Sequence, residues 1–314
     1  KSPDVATARH AIASGLVDMV GMTRAHMTDP HIVRKIIEGR EDDIRPCVGA
    51  NYCLDRIYNA GAAYCIHNAA TGRETTMPHE IPKAVQKRKV VIIGAGPGGL
   101  EAARVAGERG HEVVVYELAD KPGGQIRLTA QSERRKEMIS IIDWRMAQCE
   151  RLGVRFHFNT WADTAIVLDE NADVVIVATG GKSIPKMGAT GFGYQIAESF
   201  GLPLVETRPG LVPLTFAEQE LAWMAPLAGM ALPGRVSCGK TSFDEAVLFT
   251  HRGLSGPAVL QISNYWREGE ALQVNLAPQL DVLAVLGQAK QVAGRSALRT
   301  ALGKFLPEKL ARHL

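Results

Sequence analysis

Residues Lys89 to Glu117 constrain this chain most, because their order of residue types admits one local topology. The apolar run Lys89-Val90-Val91-Ile92-Ile93 leads directly into Gly94-Ala95-Gly96-Pro97-Gly98-Gly99, a G-x-G-x-x-G. A segment with small apolar residues Ala102, Ala103 and Ala106 follows and closes at Gly110. A second apolar run, Val113 to Tyr116, then ends on Glu117. This order predicts strand, tight turn, helix and strand, one unit of a parallel α/β sheet. Gly94 permits the turn. Gly96 lets backbone amides approach a pyrophosphate, and Gly99 lets helix and strand pack closely. The helix N-terminus adds partial positive charge and free N–H groups. Glu117, eighteen residues after Gly99, is placed to accept hydrogen bonds from a ribose. A lone glycine fingerprint is weak; strand, helix and acid in the expected places strengthen this one.

The flanking text divides the 314 residues further. Ala6 to Ala13 reads as a helix and Leu16 to Met22 as a short apolar strand. Asp29-Pro30 reads as a helix start, with Asp29 as N-cap and Pro30 at the first helical position. Residues 46–72 form an irregular cysteine loop, followed by a polar connector to residue 88. Strands and helices alternate from Lys89 to Gly181. A helix from about Gly193 to Phe200 ends at Gly201. Residues 203–278, rich in proline, glycine and short β-like runs, read as a small β domain. Residues 279–314 carry Leu280, Leu283, Leu286 and Leu302, Phe305, Leu306 at helical spacing.

The net charge of +3 is small and dispersed, which carries no nucleic-acid signal. No apolar stretch approaches the length of a membrane span, and no signal peptide is read. The sequence opens on Lys1 rather than methionine, which is compatible with a start upstream of it. Five cysteines occur, and Cys47, Cys53 and Cys65 fall within nineteen residues. An odd count without secretory context argues for a reducing cytoplasm and a metal or cluster site rather than a disulfide framework. Cys149 reads as packed in an amphipathic helix and Cys238 as a loop residue. His251, at a strand-to-turn transition, reads as structural rather than catalytic.

Arg45-Pro46-Cys47-Val48-Gly49-Ala50-Asn51-Tyr52-Cys53-Leu54-Asp55-Arg56 with Cys65-Ile66-His67-Asn68 resembles the iron–sulfur loop of the 2,4-dienoyl-CoA reductase and trimethylamine dehydrogenase family. The resemblance covers residues 1 to about 180. It implies an FMN barrel, a four-cysteine cluster loop and an FAD domain, with electrons passing between nicotinamide dinucleotide, FAD, cluster and FMN to serve a small-molecule substrate. Gly123-Gly124-Gln125 and the strand end Ala178-Thr179-Gly180-Gly181 resemble that family's FAD contacts, so FAD is favoured over NAD by resemblance. Asp18 to Arg24 looks like the last barrel strand, and Arg24 matches the arginine that contacts the FMN phosphate. Only the end of a barrel is present, so a held FMN is not expected here. A further departure is Ala50, where the family has its second cysteine. Cys47, Cys53 and Cys65 remain, spaced C-x5-C-x11-C. Three readings stay open: a cluster with one iron bound by another group or a three-iron form, a Cys3His zinc site completed by His67, and an empty loop of free thiols.

After Gly181 the text changes. Ser183-Ile184-Pro185-Lys186-Met187 with Gly188 to Tyr194, Arg208 to Leu214, and Phe249-Thr250-His251-Arg252-Gly253-Leu254-Ser255-Gly256-Pro257 resemble the BaiN-like, or aminoacetone-oxidase-like, FAD-dependent oxidoreductases. That resemblance covers residues 178–314, and no second glycine fingerprint follows. The expectation is an α/β chimera. A Rossmann-like FAD-binding core (89–202) would be preceded by a partial TIM-barrel remnant (1–45) and a cysteine loop with connector (46–88). A small β domain (203–278) and a helical segment (279–314) would follow. The expected function is that of an FAD-binding oxidoreductase, with a non-catalytic flavin-binding remnant or electron-transfer module as the alternative. The N-terminal segment, lacking its barrel partners, is expected to be loosely held.

Overall fold

In the computed structural model, the sheet anticipated around the glycine fingerprint forms from four parallel strands. These are β1 (Lys89–Ile93), β2 (Glu112–Tyr116), β3 (Arg155–His157) and β4 (Val174–Val177), in the order β3-β2-β1-β4. The structure describes residues 4–183, 190–292, 294, 295 and 297–314. Ile92 stands opposite Val115 on one side and Ile176 on the other. The central strands β1 and β2 are covered on both faces, which is why they are apolar without alternation. The helices Pro97–Glu108 and Ser140–Arg151 cover one face through Leu100, Ala103, Ile141, Ile142 and Cys149. The short helix Thr164–Asp169 covers the other with Ile166 against Val91, Val114 and Tyr116. Strand β4 lies at the edge, and Val175 and Val177 stay partly exposed.

The residues before this sheet depart from expectation in three places. Leu16 to Met22 form no strand, and Leu16 and Met19 are 72% and 83% exposed. A strand needs a neighbouring strand for its backbone groups, and the sequence places none beside it. Asp29 does not cap a helix starting at Pro30; the helix runs from Ile32 to Ile37 with His31 at its N-cap. The buried Asp29 carboxylate instead accepts from the amides of His31 and Arg45 and from the Lys35 ammonium at 2.6 Å. Burial alone would raise its pKa, but the Lys35 bond and the two amides outweigh that and lower it. The cysteine loop also contains a helix, Tyr52–Tyr58, entered through Asn51 in the left-handed region at φ 59°. The segment is fastened to the helix Ser140–Arg151 at Asp43. Its backbone carbonyl accepts from Trp144 Nε1 at 3.1 Å, and its carboxylate pairs with Arg151.

Contacts divide the chain into two units, the first ending at Leu204 and the second running from Val205 to Leu314. The helix Phe192–Ser199 lies near the end of the first. The segment Ile184 to Gly188 of the second resemblance lies outside the described residues.

The second unit is an antiparallel sheet of β5 (Leu214–Thr215), β6 (Ala231–Cys238), β7 (Thr241–Thr250), β8 (Gly253–Ser255) and β9 (Gln273–Asn275), in the order β5-β8-β7-β6-β9. Strand β6 alternates inward Leu232, Val236 and Cys238 with exposed neighbours, the pattern of a sheet with one covered face. Val247, Phe249, Ala258, Val259, Ile262, Leu302, Leu306 and Leu310 complete its core. Cys238 therefore ends a strand and is buried, rather than sitting in a loop. His251 is exposed on the turn between β7 and β8. Three helices, Val282–Val292, Leu298–Leu302 and Glu308–Ala311, occupy the C-terminal stretch as the leucine spacing predicts. No helix among the described residues is long and apolar enough to cross a membrane.

Candidate functional site

The C-terminal ends of β1, β2 and β4 bring most of the sequence-predicted nucleotide contacts to one edge of the first unit's sheet, the edge where open α/β sheets bind ligands. Gly94 follows β1, Glu117 follows β2, and Thr179-Gly180 follow β4. Gly94 takes φ +103°, and a Cβ there would lie 2.6 Å from the Ala178 carbonyl oxygen. A Cβ on Gly99 would lie 1.9 Å from the carbonyl oxygen of Gly94. Both positions exclude a side chain because backbone meets backbone. Gly96 is different. It is the N-cap of the helix Pro97–Glu108, with ordinary φ −69°, and a Cβ would meet nothing within 4 Å. The fold itself does not require glycine there, so the space above it is what a phosphate would fill.

The surrounding groups hold this cradle in shape. Glu117 Oε2 accepts from the Ala95 amide at 2.6 Å and Oε1 accepts from the Ala119 amide at 2.9 Å. The carboxylate thus ties the glycine turn to the end of β2 while keeping acceptor capacity for a ribose hydroxyl. The Gly123 amide donates to the Ala95 carbonyl at 2.8 Å, and a Cβ on Gly124 would lie 3.5 Å from the Cα of Gly96. Gly124 and Gln125 therefore border the cradle. Gln125 is exposed and donates weakly to Ser183 at 3.4 Å. The Thr179 hydroxyl is buried without a hydrogen-bond partner among the described residues, next to Gly94. These residues fit the diphosphate and ribose of a dinucleotide.

Cys47, Cys53 and Cys65 line a single cavity together with Arg24, Thr28, Val48, Gly49, Ala50, Asn51, Tyr52 and His67. The thiols are unpaired and partly buried. No group of three or more His, Cys, Asp or Glu side chains among the described residues is arranged to hold a metal ion. The buried His67 Nε2 has no hydrogen-bond partner among the described residues. Its Nδ1 faces the Pro46 carbonyl at 2.9 Å and its ring packs edge-on to Trp144. Burial, then the Arg145 charge, push its pKa down to about 3. Arg24 donates to Asn51 Oδ1 at 2.7 Å and faces this cavity. With no strand at Leu16 to Met22, the residues present do not fit an FMN phosphate pocket.

One cluster escaped the sequence reading. Glu101, on the fingerprint helix, accepts from Arg104 at 2.6 Å and from Arg145 Nε at 2.7 Å. Arg145, 5% exposed, also donates to the His67 carbonyl at 3.3 Å. Arg45 stacks over the Trp144 ring at 4.4 Å. Burial opposes ionisation of Glu101, but the Arg104 bond and the Arg145, Arg104 and Arg45 charges hold its pKa at about 2. The i,i+3 pair Glu101–Arg104 was open to view on one helix face. The link to Arg145 joins residues far apart in sequence and left no local mark.

Residues 88–201 match the family described as pyridine nucleotide-disulphide oxidoreductase, and residues 208–314 match the HI0933-like protein barrel and H2TH domain. A probable N-methylproline demethylase of Rhizobium meliloti is 80% identical over 181 residues, covering 58% of this chain and 27% of that protein. The ribosomal RNA dihydrouridine synthase of Escherichia coli is 31% identical over 295 residues, covering 73% of this chain and 74% of that protein. The solved complex of 2-naphthoyl-CoA reductase superposes with a TM-score of 0.54 at 34% identity, covering 57% of this chain and 27% of that one. The chain thus spans about a quarter of the length of the demethylase and of the reductase. The chain is an FAD-dependent oxidoreductase that belongs to the family of the ribosomal RNA dihydrouridine synthase, a chimera whose first part is similar to a segment of the N-methylproline demethylase.

Proposed function

We propose that the chain binds FAD in the cradle of Gly94, Gly96 and Gly99 and exchanges electrons with a nicotinamide dinucleotide, with the cysteine loop (46–72) as a relay. Bound FAD supplies hydride and single-electron chemistry; the protein binds and orients it. The amides of the fingerprint turn and the helix N-terminus receive the pyrophosphate. Glu117 holds the turn and accepts from the ribose, while Gly124, Gln125, Thr179 and Gly180 border the remaining part. Three thiolates of the cysteine loop are the donor type that holds iron–sulfur groups. FMN is not held, because Arg24 is turned to the cysteine cavity. Unpaired thiols are what a reducing cytoplasm preserves. The substrate of the demethylase-type relatives would be met outside this segment, and within it the reaction is electron transfer.

The observation that carries this reading is the open space at Gly96 between two glycines that tolerate no side chain. Acid-released flavin from the purified chain tests it. FAD at near one equivalent with no FMN is the expected result. FMN in place of FAD, or no flavin after incubation with excess FAD, would overturn the assignment.

A further inference from the structure

We propose that His79 is a proton-operated latch: while neutral it fastens the connector to the loop behind the cysteine cavity, and one added proton releases it. Of residues 72–80 only His79 is withdrawn from solvent, so its ring is the point of attachment of this stretch. The ring meets the buried Asn68. The Ala70 amide donates to Asn68 Oδ1 at 3.1 Å, which fixes the way that side-chain amide points. Asn68 Nδ2 then donates to the Thr28 carbonyl at 3.0 Å and to His79 Nδ1 at 3.3 Å. His79 Nδ1 is thus an acceptor and carries no proton. The ring proton lies on Nε2, 3.4 Å from Glu74 Oε1, an oxygen that also accepts from the Gly72 amide at 3.0 Å. Neighbours on both sides specify one neutral tautomer.

A second ring proton sits on Nδ1 and turns N–H against N–H. Asn68 cannot answer by turning over, because its oxygen holds the Ala70 amide and its nitrogen the Thr28 carbonyl. The latched state excludes the proton and the released state accepts it, so acid favours release. Glu74 pulls the other way, since a carboxylate attracts an imidazolium. Its side chain is 50% exposed and solvent screens that attraction, whereas the clash at Asn68 is buried. The His31 ring stands edge-on to His79 with centroids 6.3 Å apart, so charging both rings sets two cations side by side. Asp29, which accepts from the His31 amide, is already paired with Lys35. Glu80 lies 3.8 Å from His31 Nε2 and bonds to Arg34 at 2.8 Å, but it is exposed and a weak hold. Release bears on the cavity wall. Arg73, at the start of the connector, stacks on the Tyr64 ring at 4.7 Å, and Tyr64 and Thr28 both line the cavity. The Thr28 hydroxyl is 3.7 Å from Cys65 Sγ, so acid loosens the wall beside that thiol. The latch depends neither on flavin nor on a relay.

Hydrogen exchange of the full chain at pH 7.5 and pH 5.5, corrected for the intrinsic pH dependence of exchange, reads the latch. The Ala70, Arg73 and Met77 amides are bonded to Asn68 Oδ1 and to the Ala70 and Arg73 carbonyls. Their protection should fall about tenfold at pH 5.5, while Val90 to Ile93 keep theirs. His79→Gln, whose amide offers an acceptor and a donor without titrating, should be protected equally at both pH values. Nitrogen NMR of histidine-labelled protein at pH 7.5 should show His79 as the Nε2–H tautomer, its signal identified by its absence from His79→Gln. Wild-type protection that does not change between the two pH values would overturn the inference. An Nδ1–H tautomer would do the same. Loss of protection at pH 5.5 in His79→Gln would place the titrating group elsewhere and also overturn it.

Discussion

Gly96→Val is expected to strip the chain of FAD while leaving it folded. Gly96 has extended backbone at φ −69° and ψ 179°, which any residue adopts, and a Cβ there meets nothing within 4 Å, so the protein itself accommodates the side chain. The isopropyl group would instead occupy the volume where a pyrophosphate meets the turn. Loss of the phosphate contacts should weaken FAD binding at least ~100-fold, or about 2.7 kcal/mol. Thermal melting of the flavin-free variant should match flavin-free wild type. Gly99→Val provides the contrast. A Cβ 1.9 Å from the Gly94 carbonyl oxygen must displace backbone, and that variant should lose its fold as well as its flavin. Wild-type affinity in Gly96→Val would place the dinucleotide elsewhere.

The second large effect is on stability. Glu101→Gln removes the carboxylate that two buried guanidinium groups share, at 2.6 Å to Arg104 and 2.7 Å to Arg145. Arg104 keeps Glu108, but Arg145 is left with only carbonyl acceptors. Removing one partner of a buried pair costs about 3–5 kcal/mol, and the partial exposure of Glu101 points to the lower end. The same group gives a pH dependence with a definite sign. Its folded pKa of about 2 lies below the ordinary value of 4.5, so its contribution is complete above about pH 4.5 and is lost as pH falls toward 2. Urea unfolding at pH 7 and pH 3 measures both effects. Wild type should lose stability on acidification, and Glu101→Gln should start lower and lose less. Equal midpoints for both proteins at pH 7 would show that the network contributes nothing.

What the sequence disclosed was local. The strand β1, the turn Gly94–Gly99 and the helix after it are specified by residues within a dozen positions of one another, and they form as anticipated. Leu16 to Met22 reads as a strand by composition, but β structure is a property of pairs and the partners are not in this sequence. Asp29-Pro30 carries the local signature of a helix start. The carboxylate was claimed by Lys35 and the amide of Arg45, the latter sixteen residues away. Glu117 reads as a ribose contact by position, and its bonds to Ala95 and Ala119 become visible only once the turn is folded. The Arg45–Glu101–Arg145 cluster draws on three separate segments, so no window of sequence contains it.

Anaerobic titration of the purified, FAD-loaded chain with NADH and with NADPH, following the flavin absorbance, tests the central claim most directly. A nicotinamide-linked flavoenzyme segment should bleach with one of the two donors at about one two-electron equivalent per flavin and recover its colour in air. A tightly bound FAD that neither donor bleaches, though dithionite does, would contradict the claim and identify the chain as a flavin-binding remnant without turnover.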